Sequence, residues 1–326
     1  MKRMRASCRL ALVLIAQAFA ASSATAGEFA WITNQQGRSV SVIDVATAKL
    51  AATIDIDVPH GPVGVASTED GRRVYVTHPE SGTITEIDAA SRRVLQTIDV
   101  AGQPFGIAVD EGKRILLFVT DWERNALLVV DPKKRIVIDI LSVGAAPAGV
   151  ALDRARRRVY VASRERDLLT VLDADLPRKY AEIKTGRAPF AVALSPDRER
   201  LYVGNVQSGD ITAIDTATNT VAGTITVGKF PYGIAVSPDG ATLVVTQQRD
   251  DALGIVDTRS LQRVATIPVG RQPDGVALSR DGRRALVVDW FDDDVAVVDL
   301  AARRTLQRLA VGAGPRGFGA LVTTGP

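Results

Sequence analysis

The side chains best able to do chemistry are few, and they fall at irregular places in an otherwise regular sequence. His60 and His78 are its only histidines. With Glu80 or Asp121 close by, two imidazoles and a carboxylate make the donor set of a Zn²⁺ or Cu²⁺ site. Their spacing follows no known metal motif, so they stand as candidates and no metal is assigned. A second group is aromatic and cationic. Aromatic residues are 5% of the chain, yet two of its three tryptophans, Trp122 and Trp290, lie in short polar connections between apolar runs. Phe105, Phe190, Tyr232, Arg187, Arg271 and Arg316 lie in comparable connections. Aromatic rings interleaved with arginines suit stacking on a flat ligand or on bases. Asp274 and Asp289 are candidates for a carboxylate pair in acid–base chemistry. The sequence shows no Gly-x-Ser-x-Gly elbow and no Cys-x-x-Cys-His, and its one cysteine is Cys8. No catalytic residue is therefore assigned, and no motif requires a cofactor.

These residues are carried by a repeat. A proline followed by small and apolar residues recurs at Pro62, Pro104, Pro147, Pro189, Pro231, Pro273 and Pro315, at intervals of 42 or 43. An aspartate closing an apolar run recurs at Asp44, Asp88, Asp131, Asp173, Asp215, Asp257 and Asp299. Two independent markers in seven copies define seven units. Within 231–269, the segments 232–237, 241–246, 252–257 and 261–269 are rich in Val, Ile, Leu and Thr. Gly, Pro and Asp bound them, as short strands require. No segment keeps a helical apolar period. The sequence thus predicts an all-β, seven-bladed β-propeller with four antiparallel strands per blade.

The termini predict how the ring closes. Three strands (29–34, 40–44 and 50–56) precede the first full unit, and one (316–322) follows the last. The C-terminal strand is expected to complete the N-terminal blade. Small residues at alternate positions of the first strand, such as Gly64 and Ala66, are expected to admit aliphatic side chains of the next blade. The repeated aspartates are expected to bond to turn backbone.

Residues 1–26 stand apart. Lys2, Arg3, Arg5 and Arg9 precede an apolar stretch, 10–20, and Ala24-Thr25-Ala26 offers a small-x-small cleavage site. This reads as a secretory signal peptide, which predicts a periplasmic protein whose single domain is 27–326. The full chain carries a net +3, but the four basic residues of the signal leave the remainder at −1. The basic balance therefore does not argue for a nucleic-acid partner. No apolar run is long enough for a membrane span, and a monomer is expected.

The second strand of each unit carries a signature. It reads Trp31-Ile-Thr-Asn34, Tyr75-Val-Thr-His78, Phe118-Val-Thr-Asp121, Tyr160-Val-Ala-Ser163, Tyr202-Val-Gly-Asn205 and Val244-Val-Thr-Gln247, with a degenerate Leu286-Val-Val-Asp289. This resembles the YVTN-repeat β-propeller family, and the whole is similar to its YncE-like periplasmic members and to propellers associated with PQQ-dependent catabolism. The resemblance covers residues 27–326 and implies the fold. Such relatives include single-stranded DNA binders, surface-layer proteins and redox-accessory propellers, so it implies no single activity.

Function has to be sought where the repeats differ. In a propeller the 4→1 and 2→3 connections share one face. They are expected to ring the channel mouth with His60, His78, Phe105, Trp122, Arg187, Phe190, Tyr232, Arg271, Asp274, Trp290 and Arg316. Phe105, Phe190 and Tyr232 could equally plug the channel. The opposite face has monotonous turns and arginines mixed with acids, the pattern of a solvated surface. The reading that follows is a non-enzymatic binding or scaffold protein. Its ligand at the mouth would be single-stranded nucleic acid, a peptide or a protein partner. A cationic patch of Arg187, Lys229, Arg271 and Arg316 would have to offset the slightly negative net charge. The alternative is a metal-dependent or redox-accessory enzyme, lactonase- or lyase-like or associated with PQQ-dependent oxidation.

Overall fold

A computed structural model of the chain describes residues 27–319 and 322–324. The expected signal segment, 1–26, lies outside the described residues. Seven sheets, each built on four antiparallel strands, form the ring, and no helix occurs among the described residues. In the blade that begins at Pro231, strands Pro231–Val236, Thr242–Gln247, Ala252–Asp257 and Gln262–Pro268 pair in chain order. The other blades repeat this pattern.

The first blade is composite, as expected. Pro315–Arg316 pairs with Asn34 and Thr33, and Val322–Thr324 pairs with Ala30, Phe29 and Glu28. Between these two stretches the chain leaves the blade, and Phe318–Gly319 runs parallel to Gly64–Val65 of the second blade. One terminal segment therefore joins two blades and closes the ring.

Each signature position has its own physical task. The first is a large side chain between blades: Trp31, Tyr75, Phe118, Tyr160 and Tyr202 are all buried. The third, where it is threonine, is a staple. Thr120 Oγ1 accepts from Gly106 N (2.8 Å) and donates to Ala148 O of the next blade (2.8 Å). Thr77 bridges Gly64 N and Phe105 O in the same way, and Thr246 bridges Gly233 N and Asp274 O. In blades such as Pro104 to Ser142 and Pro231 to Pro268 the first strand slips register at this glycine, so the hydroxyl supplies the bond the ladder omits.

The glycines of the first strand are explained differently than expected. A Cβ on Gly106 would lie 2.3 Å from Ala148 O, and one on Gly64 would lie 2.2 Å from Phe105 O. At the glycines the group that needs the space is the next blade's carbonyl; at the alanines the expectation holds, since Ala66 shares a buried cluster with Ile107 and Val109 of the next blade. The repeated aspartates do cap turns. Asp131 accepts from Lys134 N, and Asp257 accepts from Arg259 N and Ser260 N.

Candidate binding face at the channel mouth

The residues after the motif prolines converge from different blades. Val63, Phe105, Ala148 and Phe190 form one buried cluster, with Trp122 and Tyr232 packed against it. Phe105 stacks on Trp122 (centroids 4.3 Å apart) and meets Phe190 edge-on at 5.7 Å. Phe190 in turn lies 4.2 Å from Tyr232. Phe190 is 1% exposed and Phe105 7%. These two phenylalanines are therefore the plug of the channel. The half-buried Tyr232 and Trp122 form its outer surface.

The loops that deliver these rings are held from below. The residue before the proline is left-handed at Ala146 (φ 49°), Ala188 (φ 55°), Phe230 (φ 55°) and Gln272 (φ 50°). Non-glycine residues adopt this conformation at a cost, so the surroundings must enforce it. The residue before the third strand holds three of them: Asn125 Oδ1 accepts from Ala146 N (2.9 Å), Asp167 Oδ1 from Ala188 N (2.8 Å) and Asp251 Oδ1 from Gln272 N (2.8 Å). The fourth signature residue braces the same connections. Asp121 accepts from Gln103 N (3.2 Å), Arg124 N (3.0 Å) and the Arg124 guanidinium (2.7 Å). Gln247 donates to Val227 O at 2.6 Å.

This geometry changes the place of three candidates. Asn34, His78, Asp121, Ser163, Asn205, Gln247 and Asp289 are all wholly buried. His78, Asp121 and Asp289 therefore support the mouth from within and do not ring its surface. The reason is position: the strand end turns its side chain under the 4→1 connection. His78 Nε2 lies 2.9 Å from Thr85 Oγ1. Burial pushes its pKa down to about 4, opposed weakly by the His60 backbone, so the ring is neutral near pH 7. His60 is exposed and turns Nδ1 toward Glu80 Oε2 at 2.9 Å. The two imidazoles are thus committed to different partners. Among the described residues no three His, Cys, Asp or Glu side chains gather to hold a metal ion.

The other side of the mouth is polar. Arg316 donates to Asp274 Oδ2 (2.9 Å) and Gln35 Oε1 (2.9 Å), and its guanidinium lies 5.3 Å from the Trp290 ring centre. Asp274 is 1% exposed. Burial opposes the Arg316 charge, but Asp274 and Tyr232 outweigh it and hold its pKa above the usual value. Burial, with the Asp274 charge beside it, pushes the Tyr232 phenol up to about 12. Asp289 faces elsewhere, toward Gly270, Asp294 and Arg308, and burial raises its pKa well above the carboxylate range. The two carboxylates thus serve different neighbourhoods.

The rim is richer in free cation than the expected patch. Lys229 pairs with Asp250 and Arg271 with Asp292. Arg164, Arg187 and Arg249 form no ion pair among the described residues. Arg249 instead lies 3.7 Å over the Phe230 ring. Sequence reasoning passed over Arg249, although its place in a 2→3 turn was a usable signal. Trp290 meets the exposed Phe291 edge-on at 5.7 Å.

Beneath the plug the channel is open. A cavity of about 470 Å³ runs between the inner strands, lined by residues such as Ile107, Val109, Leu152, Ala193, Ala235 and Leu278, with Arg154 as its only charged residue among the described residues.

No family model matches the sequence, and no curated protein matches it. Solved structures do resemble the fold. A protein of unknown function from Desulfotomaculum acetoxidans superposes with TM-score 0.78 at 15% identity, over 91% of this chain and 99% of that one. Hydrazine synthase of Kuenenia stuttgartiensis gives 0.71 at 21% identity, over 81% and 90%. A candidate 6-phosphogluconolactonase of Bacteroides uniformis gives 0.74 at 16% identity, over 89% and 98%. At these identities the likeness is one of fold.

Proposed function

We propose that the chain is an exported, non-enzymatic binding propeller of the YVTN-repeat kind. Its ligand docks on the plugged mouth and is single-stranded nucleic acid. The observation that carries this is the union of two surfaces. Half-buried Trp122, Tyr232 and Trp290, with exposed Phe291, offer ring area for bases. Arg164, Arg187 and Arg249 come from connections of the same face and have no carboxylate partners among the described residues, which suits a phosphate backbone. Extended peptides and protein partners are the competing ligands. A lactonase-like activity, suggested by two of the solved neighbours, is less well supported. Its carboxylate pair would be Asp274 and Asp289, and these are engaged by different groups.

The test is fluorescence anisotropy of labelled oligothymidylate, with polyglutamate as the anionic control. Binding should weaken steeply with salt and fall at least about tenfold in a double variant Arg187→Glu, Arg249→Glu. Trp290→Ala should weaken it by about 1–3 kcal/mol. Equal binding of polyglutamate, or indifference to salt and to these variants, would overturn the reading.

A further inference from the structure

The unplugged end of the channel has its own construction. Arg154 follows the inner strand Pro147–Asp153 and stands where the channel meets a shallower cup. Glu28, Ser67, Glu69 and Arg280 line that cup. Arg154 Nη2 donates to Val109 O on the channel wall at 2.7 Å and reaches Glu111 Oε1 at 3.4 Å. Its Nη1 pairs with Glu69. The side chain thus crosses from its own blade to the two preceding ones. Its Nε–H is buried and has no acceptor. A buried donor left unpaired is a standing cost, and a guanidinium short of one partner can shift to take an incoming oxygen.

The surroundings narrow what that oxygen belongs to. The cavity has the volume of a small-molecule site, and its side chains are aliphatic or small. An apolar body therefore fits inside. The cup holds Glu28 and Glu69, with Glu111 beside them, against Arg154 and Arg280, so its balance is negative and a multiply charged anion would be repelled. Glu69 is 68% exposed and is free to leave, whereas Glu111 is 22% exposed and held. A single carboxylate can take the place of Glu69 without adding net charge at Arg154.

We propose that the channel binds a slender monocarboxylate, its apolar chain among the inner strands and its carboxylate on Arg154 in place of Glu69. This site lies at the opposite end of the ring from the aromatic mouth and does not depend on what binds there.

The experiment is calorimetric titration of the full protein with octanoate, octanol and octylammonium, each variant first checked for an unchanged melting transition. Octanoate should bind at least tenfold more tightly than octanol, and octylammonium weakest. Arg154→Gln should abolish the preference for octanoate over octanol. Should that variant fail to fold, Glu69→Gln, which removes the competing carboxylate, should tighten octanoate severalfold. Ala235→Leu should weaken octanoate and octanol together by filling the channel. Trp290→Ala should leave all three unchanged. Equal affinity for octanoate and octanol, or no heat with either, would make Arg154 a tether between blades only and overturn the proposal.

Discussion

The two ends of the channel are made from the same seven repeats, yet one is sealed and the other open. The sealed end is built from connections that vary in every copy. The open end is built from turns that hardly vary. Side-chain volume explains the contrast. Seven identical loops cannot fill a single axis, because one axis has room for two large rings and not seven. Phe105 and Phe190 fill it, while Val63 and Ala148 give way beside them. Variation among these loops is thus partly a packing requirement. On the other face the arginines make inter-blade ties, such as Arg157 to Asp110 and Arg156 to Arg198 O. Those ties lie around the channel and leave it open.

The largest test of this contrast removes the closing segment. Deletion of 315–326 strips the inner strand from the first blade and takes Arg316 from the mouth. The melting temperature should fall by more than about 10 °C, or the single transition should split. An unchanged melt would contradict closure by this strand. Next comes Phe190→Ala, which opens the sealed end and should cost about 3–5 kcal/mol in denaturant unfolding. Thr120→Val should cost about 1–3 kcal/mol, since Gly106 N and Ala148 O would both lose a buried partner.

A pH effect follows in size. Asp289 is held protonated by burial, so the folded state binds its proton more tightly than the unfolded chain does. Stability from this group is full below the ordinary carboxylate pKa and is lost as pH rises toward the raised folded value. Asp289→Asn should therefore gain on the parent by about 1 kcal/mol or more at pH 8 and by little near pH 4. A difference that does not change between those two pH values would contradict it. The smallest effect belongs to the open face. Arg283, with 85% of its side chain exposed, should be replaceable by Ala within about 0.5 kcal/mol.

Much of this architecture was readable in the sequence, because it is periodic. Blade number, strand order, the composite first blade and the capping role of Asp131 or Asp257 follow from spacing and turn chemistry. Side-chain direction at the strand ends was not readable. His78, Asp121 and Asp289 end their strands where a loop begins, and nothing in the sequence says that they point beneath that loop. The glycine pattern was visible, but its cause was not, since a carbonyl leaves no mark in the sequence of the blade that receives it. The open end was missed because its residues are ordinary. Arg154 looks like any other arginine of that face, and only its reach across two neighbouring blades sets it apart.

The closing segment also has a consequence in time. Trp31 Nε1 donates to Thr323 Oγ1 at 2.9 Å, a contact between residues 292 positions apart. Pairing over nearly the whole chain length is among the slowest events a chain can make. Until it happens, the first blade is three strands with an unpaired inner edge. Closure of the ring is therefore expected to follow the folding of the other blades, since it needs the C-terminal strand.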